Sequence, residues 1–156
     1  MAETLPIRRA RPNEANRLTE IALAAKRHWG YPESWIEAWR DGLTFSPEFV
    51  ASNPVFVAAG PDDLPVACYA LVGDGADVQL EHVWVEPSLI GRGLGRALFV
   101  HAVTTAGALG GTALLIDSDP NAEAFYERMG AERIGTLETD VLGEHRELPQ
   151  MRFNLL

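Results

Sequence analysis

The sequence predicts a mixed α/β (α+β) layer, antiparallel in its first half with a crossover in its second. Three observations carry this. The stretches "VFVAA" (55–59), "VACYALV" (66–72) and "VQLEHVWV" (78–85) read as strands separated by turn-rich "GPDDLP" and "GDGAD". Connections this short favour hairpins. The segments on either side of these strands carry helical spacing instead. "GTALLID", fully apolar between two helical segments, reads as a strand buried on both faces and reached by a crossover. A chain of 156 residues can build one core, so a single domain over 1–156 is the expectation.

Each element has a local cause. "IRRARP" reads as a first strand ending at Pro12, with Asn13 placed to cap the next helix. In that helix Leu18, Ile21, Ala22 and Ala25 share one face, and "HWGYP" ends it through Gly30 and Pro32. Trp35, Ile36, Trp39 and Leu43 recur at helical spacing, and "SPE" at 46–48 opens a short third helix. A fourth helix runs to about Ala108, with Leu98, Phe99, Ala102, Val103 and Ala106 as its apolar stripe. "DPNAEAFYERMG" has Pro120 at the start of a compact helix and Gly130 at its end. "AERIGTLET" and "MRFNLL" supply closing strands, the last able to finish the sheet or to pair with a second subunit.

Charge and composition narrow the function. A net charge of −9 repels phosphate backbones, which argues against nucleic-acid binding and leaves a cationic acceptor or plain solubility. No segment is apolar and long enough to span a bilayer, and "MAETLPIRRARPNEANR" lacks a signal-peptide core. The single cysteine, Cys68, fits a reducing cytoplasm and reads as a buried small hydrophobe. Histidines 28, 82, 101 and 145 lack metal-ligand spacing, so no metal is expected.

The chemistry lies in "PSLIGRGLGRAL" (87–98), where glycines 91, 93 and 95 precede a helix. Without Cβ atoms the backbone can present successive N–H groups to an anion, and the helix N-terminus adds unsatisfied donors. The nicotinamide fingerprint fails, because Arg96 or Leu98 occupies its last position, and no G-K-[ST] follows for a phosphate loop.

"VEPSLIGRGLGRAL" resembles the acyl-CoA-binding motif of the GNAT N-acetyltransferases, V-x-P-x-x-[RQ]-G-x-G-x-[GA]. Downstream, "AEAFYERMGAERIG" is similar to that family's A-x-x-F-Y-E-x-x-G-F segment, and "RELPQMRFNL" to the end of many bacterial members. The resemblance implies a mostly antiparallel sheet with helices on both faces. It also implies transfer of an acetyl group from acetyl-CoA to a primary amine of a small molecule or peptide, by direct attack in a ternary complex without metal. Gly91, Arg92, Gly93, Leu94, Gly95 and Arg96 would then hold the diphosphate, and backbone groups of Val83 and Val85 the pantetheine arm. Glu81 becomes the base, with His82 in reserve on the opposite strand face, and Tyr126 the acid. Phe125 and Met129, four apart, are assigned the core face, leaving Tyr126 to look elsewhere. His28, Trp29 and Tyr31 either recognise the acceptor or anchor their loop, and Arg146 either joins them or makes a surface ion pair. Two positions depart from the pattern. Ile90 replaces the Arg or Gln before the first glycine, and Asp119 stands where Asn is common, with Asn121 the candidate to take over its contact. These departures keep a non-catalytic acyl-CoA-binding or regulatory module as the alternative, while the apolar "MRFNLL" is what leaves a homodimer possible.

Overall fold

Alternation in the strands and 3.6-residue spacing in the helices give each element one apolar side, and a layered sheet buries them all. The computed structural model describes residues 4–73 and 75–155. Its elements are β1 (Ile7–Arg9), α1 (Ala15–His28), α2 (Glu33–Leu43), α3 (Pro47–Ser52), β2 (Val55–Ala59), β3 (Pro65–Val72) and β4 (Asp77–Val85). There follow α4 (Leu94–Ala108), β5 (Ala113–Asp117), α5 (Glu123–Arg128), β6 (Glu132–Val141) and β7 (Glu144–Asn154). One seven-stranded sheet has the order β1-β2-β3-β4-β5-β7-β6. Only β4 and β5 run parallel, joined by α4 as the crossover.

β3 shows why the sheet needs helices on both sides. Ala67, Tyr69 and Leu71 face α4, packing with Leu98, Phe99 and Ala102. Cys68 and Ala70 face α1 to α3, packing with Leu18, Ile21, Ile36 and Val50. The Tyr69 hydroxyl keeps a polar environment, 2.6 Å from His101 Nδ1 and 3.0 Å from Thr105 Oγ1. Burial pushes the Cys68 thiol up to about 12, so it is an unreactive core residue.

Two local readings change, and one open alternative is decided. Asn13 does not cap α1. Pro12 starts a 3-10 turn (Pro12–Glu14) that takes Asn13 inside it, and Glu14 accepts from the Arg11 amide at 2.8 Å instead. Tyr126 is the buried residue of α5, while Phe125 and Met129 are only partly buried. Two adjacent aromatics on a six-residue helix leave its docking face undecided until the helix meets the sheet. Of "MRFNLL", Met151 to Asn154 lie in β7, which pairs with β5 and with β6 and so finishes the sheet within one chain, Leu155 follows the strand, and Leu156 lies outside the described residues.

Leu98 is fully buried on α4 and Val100 is 55% exposed two residues later. Leu98→Ala should cost about 2–5 kcal/mol in denaturant unfolding and Val100→Ala within about 0.5. Equal costs would mean that this face of α4 does not pack the core.

Candidate active site

The site begins with one extra residue in β4. Its register on β3 passes from Leu71↔Leu80 to Ala70↔His82, so Glu81 has no partner and forms a β-bulge. The bulge switches the strand's faces. Val78 and Leu80 pack on the α4 side, but so do Val83 and Val85 beyond it. His82 and Trp84 turn to the other side, where His82 lies 4.5 Å from the Phe45 ring. The parallel ladder with β5 covers only Asp77 to Gln79 of β4. Beyond that point β4 stays on β3, β5 stays on β7, and a cleft of about 690 Å³ opens between them.

The glycine turn closes one end of this cleft. Gly91 and Gly93 take φ of +87° and +83°, the left-handed region that side chains resist. A Cβ at either would meet no atom within 4 Å, so the bare backbone faces open space. The Ile90 amide donates to Pro87 and the Ala97 amide to Gly93, but no amide from 91 to 96 makes a well-formed hydrogen bond among the described residues. Six successive unpaired N–H groups at the mouth of a fifteen-residue helix suit a diphosphate. Gly91, Gly93, Leu94, Gly95 and Arg96 line the cleft, and Arg128 joins them from α5. Arg92 is exposed and outside the lining, and Ile90, half exposed at the rim, offers no polar group. The residues present fit an acyl-CoA: donors for its diphosphate at this end, and an apolar slot along Val83, Val85, Leu89 and Phe125 for its arm.

Glu81 reaches the cleft, and its carboxylate has no ion-pair or hydrogen-bond partner among the described residues. His82 does not line the cleft. Trp84 Nε1 donates to His82 Nδ1 at 2.8 Å, and burial drives the imidazole down to about 4. It is a neutral core residue, not a reserve base. Tyr126 also lines the cleft, beside Phe99 and Phe125. Burial, and then the charge of Asp119, raise its pKa, so the hydroxyl stays protonated and able to donate.

The opposite end is built from residues far apart in sequence. Asp119 Oδ2 lies 2.8 Å from Lys26 Nζ and accepts from the Tyr31 hydroxyl at 2.9 Å. Asn121 donates from Nδ2 to Asp119 at 2.9 Å and to Tyr31 at 3.1 Å, so its NH₂ is already engaged within this cluster. Burial would raise the Asp119 carboxyl, but Lys26 and these donors hold it below the usual carboxylate range. Burial followed by Asp119 pushes Tyr31 up to about 12. Tyr31 stands behind the wall, stacked on Trp35 at 5.8 Å and edge-on to Trp39 at 5.0 Å, while Arg146 lines the cleft in front. Exposed His28 and Trp29 sit at the mouth. The loop's aromatics therefore divide, Tyr31 as anchor and the other two on the cleft.

A model of the acetyltransferase (GNAT) family matches residues 15–131. The chain belongs to this family. Over 139 residues it is 30% identical to the peptidyl-lysine N-acetyltransferase YjaB of Salmonella typhimurium strain LT2, covering 88% of this chain and 90% of that protein. The fold of a GCN5-related N-acetyltransferase from Rhodopseudomonas palustris superposes with TM-score 0.83 at 22% identity, covering 99% of this chain and 98% of that one. The PaiA N-acetyltransferase from Thermoplasma acidophilum, solved in complex with coenzyme A, gives 0.78 at 18% identity over 97% and 99%. The chain is thus a GNAT enzyme that moves an acetyl group to an amine.

Sequence reasoning missed Lys26, Trp84 and Arg128 among the cleft residues of this GNAT domain. Lys26 is the only lysine in the chain, and its position one turn after buried Ala22 and next to buried Ala25 on α1 was the available signal. Trp84 is displaced toward the cleft by the bulge, which alternation alone does not reveal. Outside the cleft, cross-strand pairing on β6 and β7 brings exposed Glu138, His145 and Glu147 together, a grouping invisible to sequence spacing.

His82 gives a test of the packing behind the site. Its folded pKa, about 4, lies below the ordinary 6.5, so its stabilising contribution is complete above 6.5 and is lost as pH falls toward 4. Unfolding free energy should decline by up to roughly 3 kcal/mol across that window. In His82→Asn the decline between pH 6.5 and pH 4 should be reduced by that amount; an unchanged pH profile would place the imidazole in solvent.

Proposed function

We propose that this enzyme acetylates the side-chain amine of a peptidyl lysine, with acetyl-CoA as donor, by direct attack within a ternary complex. One observation carries the reading: the unpaired amides of Gly91, Gly93, Leu94, Gly95 and Arg96, an unpaired carboxylate and a protonated tyrosine belong to residues that line the same cleft. The lysine acceptor is supported by the Salmonella relative, whose name specifies that reaction.

Acetyl-CoA supplies a thioester carbonyl, and the chain does the rest. Amides 91–96, with Arg96 and Arg128 nearby, bind the diphosphate; charge-assisted hydrogen bonds contribute about 1.5–3 kcal/mol each, more than the helix dipole's roughly 0.3–1. The edge of β4 released from β5 at Val83 and Val85 can pair the pantetheine amides as an added strand. An alkylammonium with a pKa near ~10.4 is charged at neutral pH, so Glu81 takes its proton, directly or through water. The nitrogen forms its bond to the carbonyl carbon, the carbon–sulfur bond breaks, and the Tyr126 hydroxyl protonates the departing sulfur; the nitrogen's second proton returns to the Tyr126 oxygen through water, and Glu81 passes the first to solvent. We place the reaction in the cytoplasm, a setting supported by the single free thiol, Cys68.

Tyr126→Phe should lower kcat about a hundredfold while shifting the calorimetric Kd for coenzyme A less than twofold. Glu81→Gln should lower kcat at pH 7 and recover toward the wild-type rate as pH approaches the pKa of the amine. Parallel loss of kcat and coenzyme affinity in Tyr126→Phe would make that side chain structural, and a pH-independent defect in Glu81→Gln would remove its role as base.

A further inference from the structure

Among the buried side chains at the acceptor end of the cleft, two cations face one carboxylate. Lys26 and Arg146 share one carboxylate: Asp119 Oδ2 is 2.8 Å from Lys26 Nζ and 3.8 Å from Arg146 Nη2. Their side chains are 11%, 10% and 12% exposed for Lys26, Arg146 and Asp119, in a chain whose formal net charge is −9. A buried cation without its own anion is unfavourable, and composition does not account for one here.

Arg146 is also fixed in place. Its guanidinium carbon lies 5.0 Å from the centre of the Tyr31 ring and 4.9 Å from that of Trp39, with Trp35 at 6.0 Å. Nη2 donates to the Tyr31 hydroxyl at 2.8 Å, and no other N–H of the group makes a hydrogen bond among the described residues. Among the described residues no side-chain nitrogen or oxygen is both sealed from solvent and unpartnered, so the remaining donors of Arg146, a residue of the cleft lining, keep access to solvent. A planar donor fork, oriented before any ligand arrives and short of one negative charge, suits a carboxylate.

The geometry points to a carboxylate-binding subsite at Arg146, so that the acceptor carries a carboxylate at one end and presents its amine to Glu81 at the other. This rests on the reading of the cleft as the place of acetyl transfer. Glu81 favours an ammonium and repels a carboxylate, and Arg146 does the reverse, which sets the acceptor's direction and disfavours polyamines. The carboxylate can come from a free main-chain terminus or from an acidic side chain beside the lysine.

The test compares CoA release with Nα-acetyl-lysine, its methylamide, and acetyl-Glu-Lys-amide. At least one carboxylate-bearing acceptor should have a KM about ten- to a hundredfold below the methylamide's. The free acid winning identifies a chain terminus, and the glutamyl peptide winning identifies an acidic side chain. R146Q should bring the two classes to the same KM, and R146K should retain part of the difference. Equal KM values in the wild type, or a preference that survives R146Q, would overturn the subsite. Calorimetry with Nα-acetylnorleucine, which has no amine, separates the two proposals. Binding of its acid but not its methylamide, lost in R146Q, upholds the subsite even if no lysine substrate is acetylated. Turnover without any acid preference upholds acetyl transfer and overturns the subsite.

Discussion

The bulge at Glu81 is the constraint on which the rest of this structure depends. A regular β4 would keep its even-numbered residues on the α4 side and continue its ladder with β5. There would then be no cleft for the glycine turn to close. The extra residue ends β4–β5 pairing after three residue pairs, and the sheet survives because β4 holds β3 over Gln79 to Val85 while β5 holds β7 along its whole length. The same residue that forces the strands apart carries the unpaired carboxylate at the point of divergence.

The charges around the cleft differ from those of the chain as a whole. Lys26, Arg96, Arg128 and Arg146 line it against Glu81, Asp117 and Asp119, while the full sequence has 13 basic and 22 acidic residues. Cations gather at the two ends: the amides and arginines of the glycine turn at one, Arg146 on its aromatic support at the other. Such a layout suits two substrates that enter from opposite ends, one anionic through its phosphates and one cationic at its reacting amine. Lys26, the chain's only lysine, is held by Asp119 and by the Trp39 ring at 4.5 Å, so the enzyme carries no other lysine side chain to compete with a lysine substrate.

What could be read in the sequence followed the range of the interactions concerned. Strands β2 to β4 and the glycine turn are local patterns, and both are found within a residue or so of where alternation and glycine spacing put them. Glu81 was chosen for its position on the strand leading to that turn, but the bulge that exposes it depends on pairing with β3. The face of Tyr126 was misread because α5 spans fewer than two turns and carries two neighbouring aromatics. The cluster of Lys26, Tyr31, Asp119 and Arg146 joins α1, the α1–α2 loop, the segment after β5 and β7. A lysine on a helix and an arginine on a hairpin strand look like surface residues until the sheet brings them together.

The central claim is that strand divergence at Glu81 and the unpaired amides beyond it together form the seat of the coenzyme. Titrating coenzyme A into ¹⁵N-labelled protein and following the backbone amide resonances tests this most directly. The account predicts large shifts for residues 91–96 and along Val83 to Val85, and little change for Val78 and Gln79, where β4 is still paired to β5. Saturable binding that leaves the 91–96 amides unmoved would contradict it.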